Sequence, residues 1–275
     1  MIPYRACLTS PRNCFATYHG CWPPSGAAGA PPARSRKLTC RGQAVLALRW
    51  FRDRTRIEAL GRDHGVSRAT AYRYVAEAVD VLSAQAPGLA EALERAMAEG
   101  VPYVILDGKV FESDRCSEPA VSVKGQVIDV WYSGKARRHG SNVQAVMRPD
   151  GLPLWAGPAE PGSVHDVTAA RRHALPALYR AAALGMPTLA DLGYEGAGIG
   201  ILVPAKRHSG YQELDTATRT RNALLRDLRC RGERGFALLT RRSAALQHIT
   251  ADPDRTTEIT RAALVLTQFE HKYNG

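Results

Sequence analysis

The sequence lacks three features that would fix its class at once. No run approaches about 18 consecutive apolar residues, so no membrane span is expected, and the first residues lack the apolar core of a secretion signal. The six cysteines form no CxxC pair, which argues against a zinc knuckle and a disulfide framework. Cys14, His19 and Cys21 lack a fourth ligand at suitable spacing. We therefore expect a cytoplasmic protein with reduced thiols.

Acidic residues are also missing from the first 50 positions, which hold seven Lys or Arg. The whole chain of 275 residues has 37 Lys or Arg and 26 Asp or Glu, a formal net charge of +11. A second basic block, 206–242, has ten Lys or Arg against four acids. Clustered positive charge suits a polyanionic partner, because each neutralised phosphate releases counterions. A solvated basic surface is the alternative.

The first hundred residues divide into two stretches. Residues 1–36 are rich in Pro, Gly, Ala and Ser without helical or strand periodicity, which predicts a flexible basic arm. Apolar residues in 37–99 recur at helical spacing, which predicts a small all-α domain. Gly65 interrupts this pattern, and Ser67 is a natural N-cap for the helix that follows. Two short helices around a glycine turn indicate a helix-turn-helix.

The helix-turn-helix interpretation assigns DNA contacts to the start of the second helix. Arg68, Thr70 and Arg73 lie there, with side chains suited to base edges and phosphates. The alternative is a plain helical hairpin with an ordinary polar face.

Beyond Gly100 the pattern changes to strands and then to mixed strands and helices, so 100–275 is predicted as an α/β domain. Buried strands are expected over 101–106 and 187–190. A helix over 164–179 is expected to kink near Pro176. Two further helices are expected over 218–247 and 256–269.

Three carboxylates are candidates for one site. Asp107 and Asp191 each follow a predicted strand directly with a glycine close behind, which places an acid at a cleft. Glu233 lies on a basic helix beside an apolar stripe that includes Leu225 and Leu228. Converging acids repel unless a cation neutralises them, and oxygen ligands favour Mg²⁺ or Mn²⁺. Two ions about 3.5–4 Å apart suit phosphodiester chemistry. Separate helix caps or surface ion pairs are the alternative.

Five strings in chain order resemble transposases of the insertion sequence five type. They are Tyr103–Gly108, Trp131–Lys135 with His139–Gln144, Pro161–Asp166, Leu189–Gly196 and Gly232–Leu239. The resemblance implies a DDE catalytic domain with the ribonuclease H-like fold, a mixed sheet flanked by helices. It also implies that Asp107, Asp191 and Glu233 are the catalytic, metal-binding triad.

Asp166 competes with Asp191 for the second position of the triad. It opens a helix instead of ending a strand, and lies 67 residues before Glu233 against 42 for Asp191. We therefore treat His165 and Asp166 as accessory residues, which either cap the N-terminus of that helix or contact a metal-binding residue.

The loop with Lys135, Arg137 and Arg138 is expected to hold the DNA backbone, the alternative being a solvated hairpin turn. Thr240 departs from the family, which commonly has Lys there.

The function expected from these features is that of a DNA transposase. It would bind double-stranded DNA at element ends and target, cut and rejoin strands with Mg²⁺ or Mn²⁺, and act at the nucleoid as a homodimer or larger assembly. One alternative is an inactive or regulatory DNA-binding protein derived from a transposase. Another is a metal-dependent nuclease without strand transfer.

Overall fold

The computed structural model describes residues 36–121, 125–207 and 213–271. All but the last residue of the predicted arm, 1–36, lies outside these ranges. The helices are α1 (Cys40–Asp53), α2 (Ile57–Asp63), α3 (Arg68–Ser83), α4 (Leu89–Ala98), α5 (Asp166–His173), α6 (Leu175–Ala183), α7 (Thr216–Arg242) and α8 (Thr256–Glu270). The strands are β1 (Val104–Glu112), β2 (Pro119–Val121), β3 (Val127–Asp129), β4 (Tyr132–Ser133), β5 (Arg138–Met147), β6 (Pro153–Pro161), β7 (Thr188–Leu189) and β8 (Ile201–Leu202).

The chain forms two compact units. Unit one contains the described residues up to Ala86, with Leu239–Gln247 and those from Glu258 onward. Unit two contains Pro87–Leu238 and His248–Thr257. Helix α4 thus lies in unit two and most of α8 in unit one. The two units are groups of residues that contact one another in space. The predicted domain boundaries at 36/37 and 99/100 divide the chain by sequence pattern, and they stay a prediction.

In unit one, the turn between α2 and α3 agrees with the prediction from the sequence. Gly65 has a φ of +64°, which glycine adopts without steric cost, and the chain breaks there. Ser67 is the N-cap of α3, and its side chain accepts a hydrogen bond from the Thr70 backbone N–H at 3.2 Å. The glycine break and this cap are confirmed.

Unit two is built on a mixed six-stranded sheet of order β4-β5-β1-β7-β8, with β6 also paired to β5. β5 is antiparallel to β1 and β6, whereas β7 and β8 run parallel to β1. β1 pairs with β5 up to Glu112, but its described pairing with β7 ends at Ile105. Among the described residues, no strand pairs with this edge of β1 beyond Ile105, although the Ile249 backbone N–H donates to the Glu112 carbonyl at its end. The expected mixed sheet with helices is confirmed.

Alternate residues of β1 point to opposite faces of the sheet. Ile105 faces α7, because a Cβ on Gly232 would lie 2.8 Å from Ile105 Cγ2. Phe111, six residues along on the same face, makes an edge contact with Phe236 of α7, with ring centroids 6.1 Å apart. Gly108 belongs to the opposite face, where α5 begins. Asp107 and Gly108 thus lie beside different helices.

Three local predictions need correction. Asp107 lies inside β1 and not after it, because β5 continues to pair with β1 for five more residues. The helix expected over 164–179 with a kink near Pro176 is two separate helices that meet at Ala174; the proline lies in the first turn of α6, where a missing N–H is tolerated. Leu228 is 41% exposed although it lies on the same face of α7 as the buried Leu225 and Gly232, so the predicted apolar stripe is buried only in part.

Candidate active site

Asp107, Asp166 and Asp191 come from three different elements that meet where β1 extends past β7. Asp107 lies on β1, Asp166 is the first residue of α5, and Asp191 follows β7. A Cβ on Gly108 would lie 2.7 Å from Asp166 Oδ1. A Cβ on Gly193 would lie 2.9 Å from Asp191 Oδ1 and 3.6 Å from Asp166 Oδ2. The small residues Gly108 and Gly193 therefore leave the space that these carboxylates occupy.

The charges of the three aspartates act on one another and on their neighbours. The pKa of Asp107 is raised to about 6, chiefly by burial and then by the charges of Asp191 and Asp166, against the lowering effects of the Gly108 N–H and Arg229. The pKa of Lys135 is raised, chiefly by its hydrogen bond to Asp166 and then by all three negative charges. Asp107, Asp166 and Asp191 thus form one acidic cluster.

Asp166 is held by a chain of buried polar side chains. Tyr194 Oη donates to Gln144 Oε1 at 2.5 Å, and Gln144 Nε2 donates to Asn142 Oδ1 at 3.1 Å. Asn142 Nδ2 in turn donates to Asp166 Oδ1 at 2.8 Å. Tyr194, Gln144 and Asn142 are 1%, 0% and 2% exposed, so water does not compete for these bonds. Lys135 Nζ donates to the other carboxylate oxygen, Oδ2, at 2.7 Å.

Glu233 approaches the cluster without joining it. Its neighbour Gly232 packs against β1, with a Cβ position 3.9 Å from Asp107 Cβ, but the Glu233 side chain is exposed. Arg229, one helical turn earlier, is the α7 residue whose charge lowers the pKa of Asp107. Within 36–121, 125–207 and 213–271, no three His, Cys, Asp or Glu side chains form a ready-made metal cage.

The basic segment 135–138, which leads from β4 into the start of β5, makes ion pairs with two acids of unit two. Lys135 binds Asp166, and Arg138 binds Glu112 at 2.8 Å. Arg137 is exposed and has a left-handed φ of 54°.

The histidine that precedes Asp166 makes no comparable contact. His165 is the exposed N-cap residue of α5, but its side chain makes no capping hydrogen bond.

In unit one, the predicted DNA-reading residues lie on the surface at the start of α3. Arg68 and Arg73 are exposed, and Thr70 is half-buried. Arg68 Nε lies 3.0 Å from Glu58 Oε1, and an Arg73 nitrogen donates to Thr70 Oγ1 at 3.2 Å. Such exposed contacts are weak, so both arginines are able to exchange them for phosphates.

The sequence interpretation missed the residues that hold Asp166. Asn142 and Gln144 alternate with Val143 and Ala145 in a strand buried on both faces. Two polar residues at a spacing of two lie on one face of a strand, and buried polar groups require partners. This pattern could have predicted a buried polar network from the sequence. No comparable signal marked Tyr194.

The model of the DDE superfamily endonuclease family matches residues 106–268, more than half of the chain. The chain therefore belongs to this family of transposase-like nucleases, and the match includes every member of the acidic cluster. DNA is the substrate that this family implies, and its members generally use divalent metal ions. Neither the curated proteins nor the solved structures give a match.

The residues present fit a divalent cation in their chemistry. Their donors are carboxylate oxygens, the ligands that Mg²⁺ and Mn²⁺ prefer. Repulsion from Asp166 and Asp191 contributes to the raised pKa of Asp107, and a bound cation would relieve that repulsion.

In the described part of the chain, no helix is both long and apolar enough to cross a membrane.

Proposed function

We propose that this protein is a DNA transposase of the insertion sequence five type with a ribonuclease H-like catalytic domain. It binds the ends of its element and catalyses metal-dependent strand cleavage and transfer. The observation that carries the proposal is the meeting of Asp107 and Asp191 at the open edge of β1, inside the range that matches the endonuclease family. The mixed sheet flanked by helices supports the same conclusion.

This placement supports the following catalytic roles. Asp107 and Asp191 would hold Mg²⁺ or Mn²⁺, and Glu233, exposed on the neighbouring helix, would complete a second ion site. Bound at this site, divalent ions would activate the attacking oxygen and stabilise the leaving oxygen. Asp191 is oriented by the Gly193 N–H, which donates to its Oδ1 at 2.8 Å. Arg229 adds positive charge beside Asp107, where a phosphate would lie.

DNA binding is assigned to two surfaces. The helix-turn-helix in 37–99 would present Arg68, Thr70 and Arg73 to base edges and phosphates. Arg137, Arg138 and Lys135 would contact the backbone near the acidic cluster. Two element ends must be handled together, so we expect a homodimer or larger assembly on DNA.

Cleavage of a supercoiled plasmid carrying the element ends tests this proposal. Asp107→Asn and Glu233→Gln should leave end binding in chelator intact and abolish Mg²⁺-dependent nicking. The matched controls are Asp227→Asn and Glu213→Gln, which remove the same charge from exposed positions of unit two. Full activity in Asp107→Asn or Glu233→Gln would refute the triad.

The products separate transposition from the two alternatives. Target-joined DNA indicates strand transfer, whereas cut ends alone indicate a nuclease. End binding by the wild-type protein without any cleavage would indicate a regulatory or inactive protein.

A further inference from the structure

We propose that Lys135 is the internal counter-ion of the metal-free acidic cluster, and that a divalent ion displaces it from Asp166, releasing the ammonium group toward a DNA phosphate. This inference rests on the proposed function, because it concerns the same metal site. It assigns to Lys135 two successive partners, first a carboxylate of its own chain and then the substrate.

The position of Lys135 suits a movable partner. Its Nζ lies 2.7 Å from Asp166 Oδ2, yet its side chain is 73% exposed, whereas that of Asp166 is 11% exposed. The lysine therefore reaches the carboxylate from the solvent side. A lysine is a flexible chain that ends in a compact charge, so it changes partners without moving the backbone.

Asp166, in contrast, is fixed. The buried chain of Tyr194, Gln144 and Asn142 ends in an amide N–H that donates to Asp166 Oδ1. The same Asn142 amide nitrogen donates to the backbone oxygen of Val164, next to the start of α5. Because these groups hold one oxygen of Asp166 in place, the other oxygen has a set direction toward the cluster.

Competition follows from the charges. Asp107, Asp166 and Asp191 carry three formal negative charges within one region, and Lys135 bonds directly to one of them. A divalent ion brings two positive charges to the same region. The exposed end of the lysine makes its ion pair weak, so displacing it opposes metal binding only slightly.

Metal titration of the full-length protein measures this competition without any cleavage. Mn²⁺ is titrated calorimetrically into chelator-treated wild type and Lys135→Met. We expect Lys135→Met to bind Mn²⁺ about three- to tenfold more tightly, because no lysine competes. Lys135→Arg keeps the competing charge and should stay near wild type. Arg137→Met removes one charge from the same loop but not the Asp166 ion pair, so its affinity should change less than about twofold.

The coupling with Asp166 distinguishes displacement from a general effect of charge. In an Asp166→Asn background, Lys135→Met should give no further tightening, because the shared partner is gone. Lys135→Met should also weaken binding to an element-end duplex more in Ca²⁺ than in chelator. A lysine that always contacts DNA would instead give the same loss in both.

The outcomes separate the two proposals. If wild type binds an ion that Asp107→Asn loses, and Lys135→Met has unchanged affinity, the counter-ion role is overturned and the metal site stands. If the ion binds only after Lys135→Met, the role is supported in its strongest form. If neither protein binds Mn²⁺, this inference and the proposed function both fail.

Discussion

Asp107 is expected to destabilise the metal-free fold at neutral pH, and Asp107→Asn should reverse that effect. Burial, with repulsion from Asp191 and Asp166, raises the pKa of Asp107 from 3.8 to about 6. This difference of roughly two pKa units corresponds to about 3 kcal/mol at about 1.4 kcal/mol per unit. Because the side chain keeps some contact with solvent, we expect about 2–3 kcal/mol.

The sign follows from proton binding. The folded protein holds the Asp107 proton more tightly than the unfolded chain does, so between about pH 4 and 6 the folded state carries more protons. The free energy of unfolding therefore falls as pH rises through this window and is level above it. Asparagine does not titrate. The variant should match wild type near pH 4 and exceed its unfolding free energy by about 2–3 kcal/mol at pH 7.

Urea unfolding in chelator from pH 4 to 7.5 measures this difference, and hydrogen exchange of β1 peptides reports on unit two separately. Asp227→Asn, at an exposed position of α7, is the charge-matched control. Mg²⁺ at about 100 times its dissociation constant should then stabilise wild type by about 2.7 kcal/mol but not the variant. A stability difference that does not change with pH, or a variant less stable at pH 7, would refute the reasoning.

Two further predictions concern packing and DNA reading. Gly108→Ala should lower the free energy of unfolding by about 1–3 kcal/mol in urea, because its Cβ would lie 2.6 Å from a Gln144 nitrogen. Gly134→Ala, which adds the same methyl group in open space, should be nearly neutral, and equal losses would contradict the packing argument. Arg68→Ala and Arg73→Ala should each weaken binding to an element end by about 1–3 kcal/mol in mobility-shift titrations. Unchanged affinity and salt dependence would show that α3 does not face DNA.

Local signals in the sequence predicted local structure well. Gly65 and Ser67 mark the end of one helix and the start of the next through backbone freedom and a side-chain cap, and both act within a few residues. The extent of β1 was not predictable in this way. β1 runs through Asp107 because β5, some thirty residues later, pairs with it as far as Glu112. Pairing between distant segments is decided by the whole fold.

In the candidate site, too, local sequence patterns were informative, whereas contacts between distant segments were not predictable. Asp107 and Asp191 were found because each follows an apolar run closely, a local pattern. From the sequence, Asp166 ranks behind Asp191 because it opens a helix and lies farther from Glu233 along the chain. Neither property indicates which carboxylates meet in space. The fold brings Asp166 to the others through α5, and Asn142 anchors it there.

The chain has a net charge of +11, but the acidic cluster within it is negative. The cations beside the cluster can therefore balance either its carboxylates or a DNA phosphate, which would couple metal binding to DNA binding. Arg229 lies on the basic helix α7 and lowers the pKa of Asp107, whereas Lys135 directly neutralises Asp166. A divalent ion that enters the cluster leaves both cations with less negative charge to balance, so the surface around it attracts a phosphate more strongly. By reciprocity, a bound phosphate backbone favours the ion by the same free energy. With the proposed metal site, the ion and DNA would each strengthen the binding of the other.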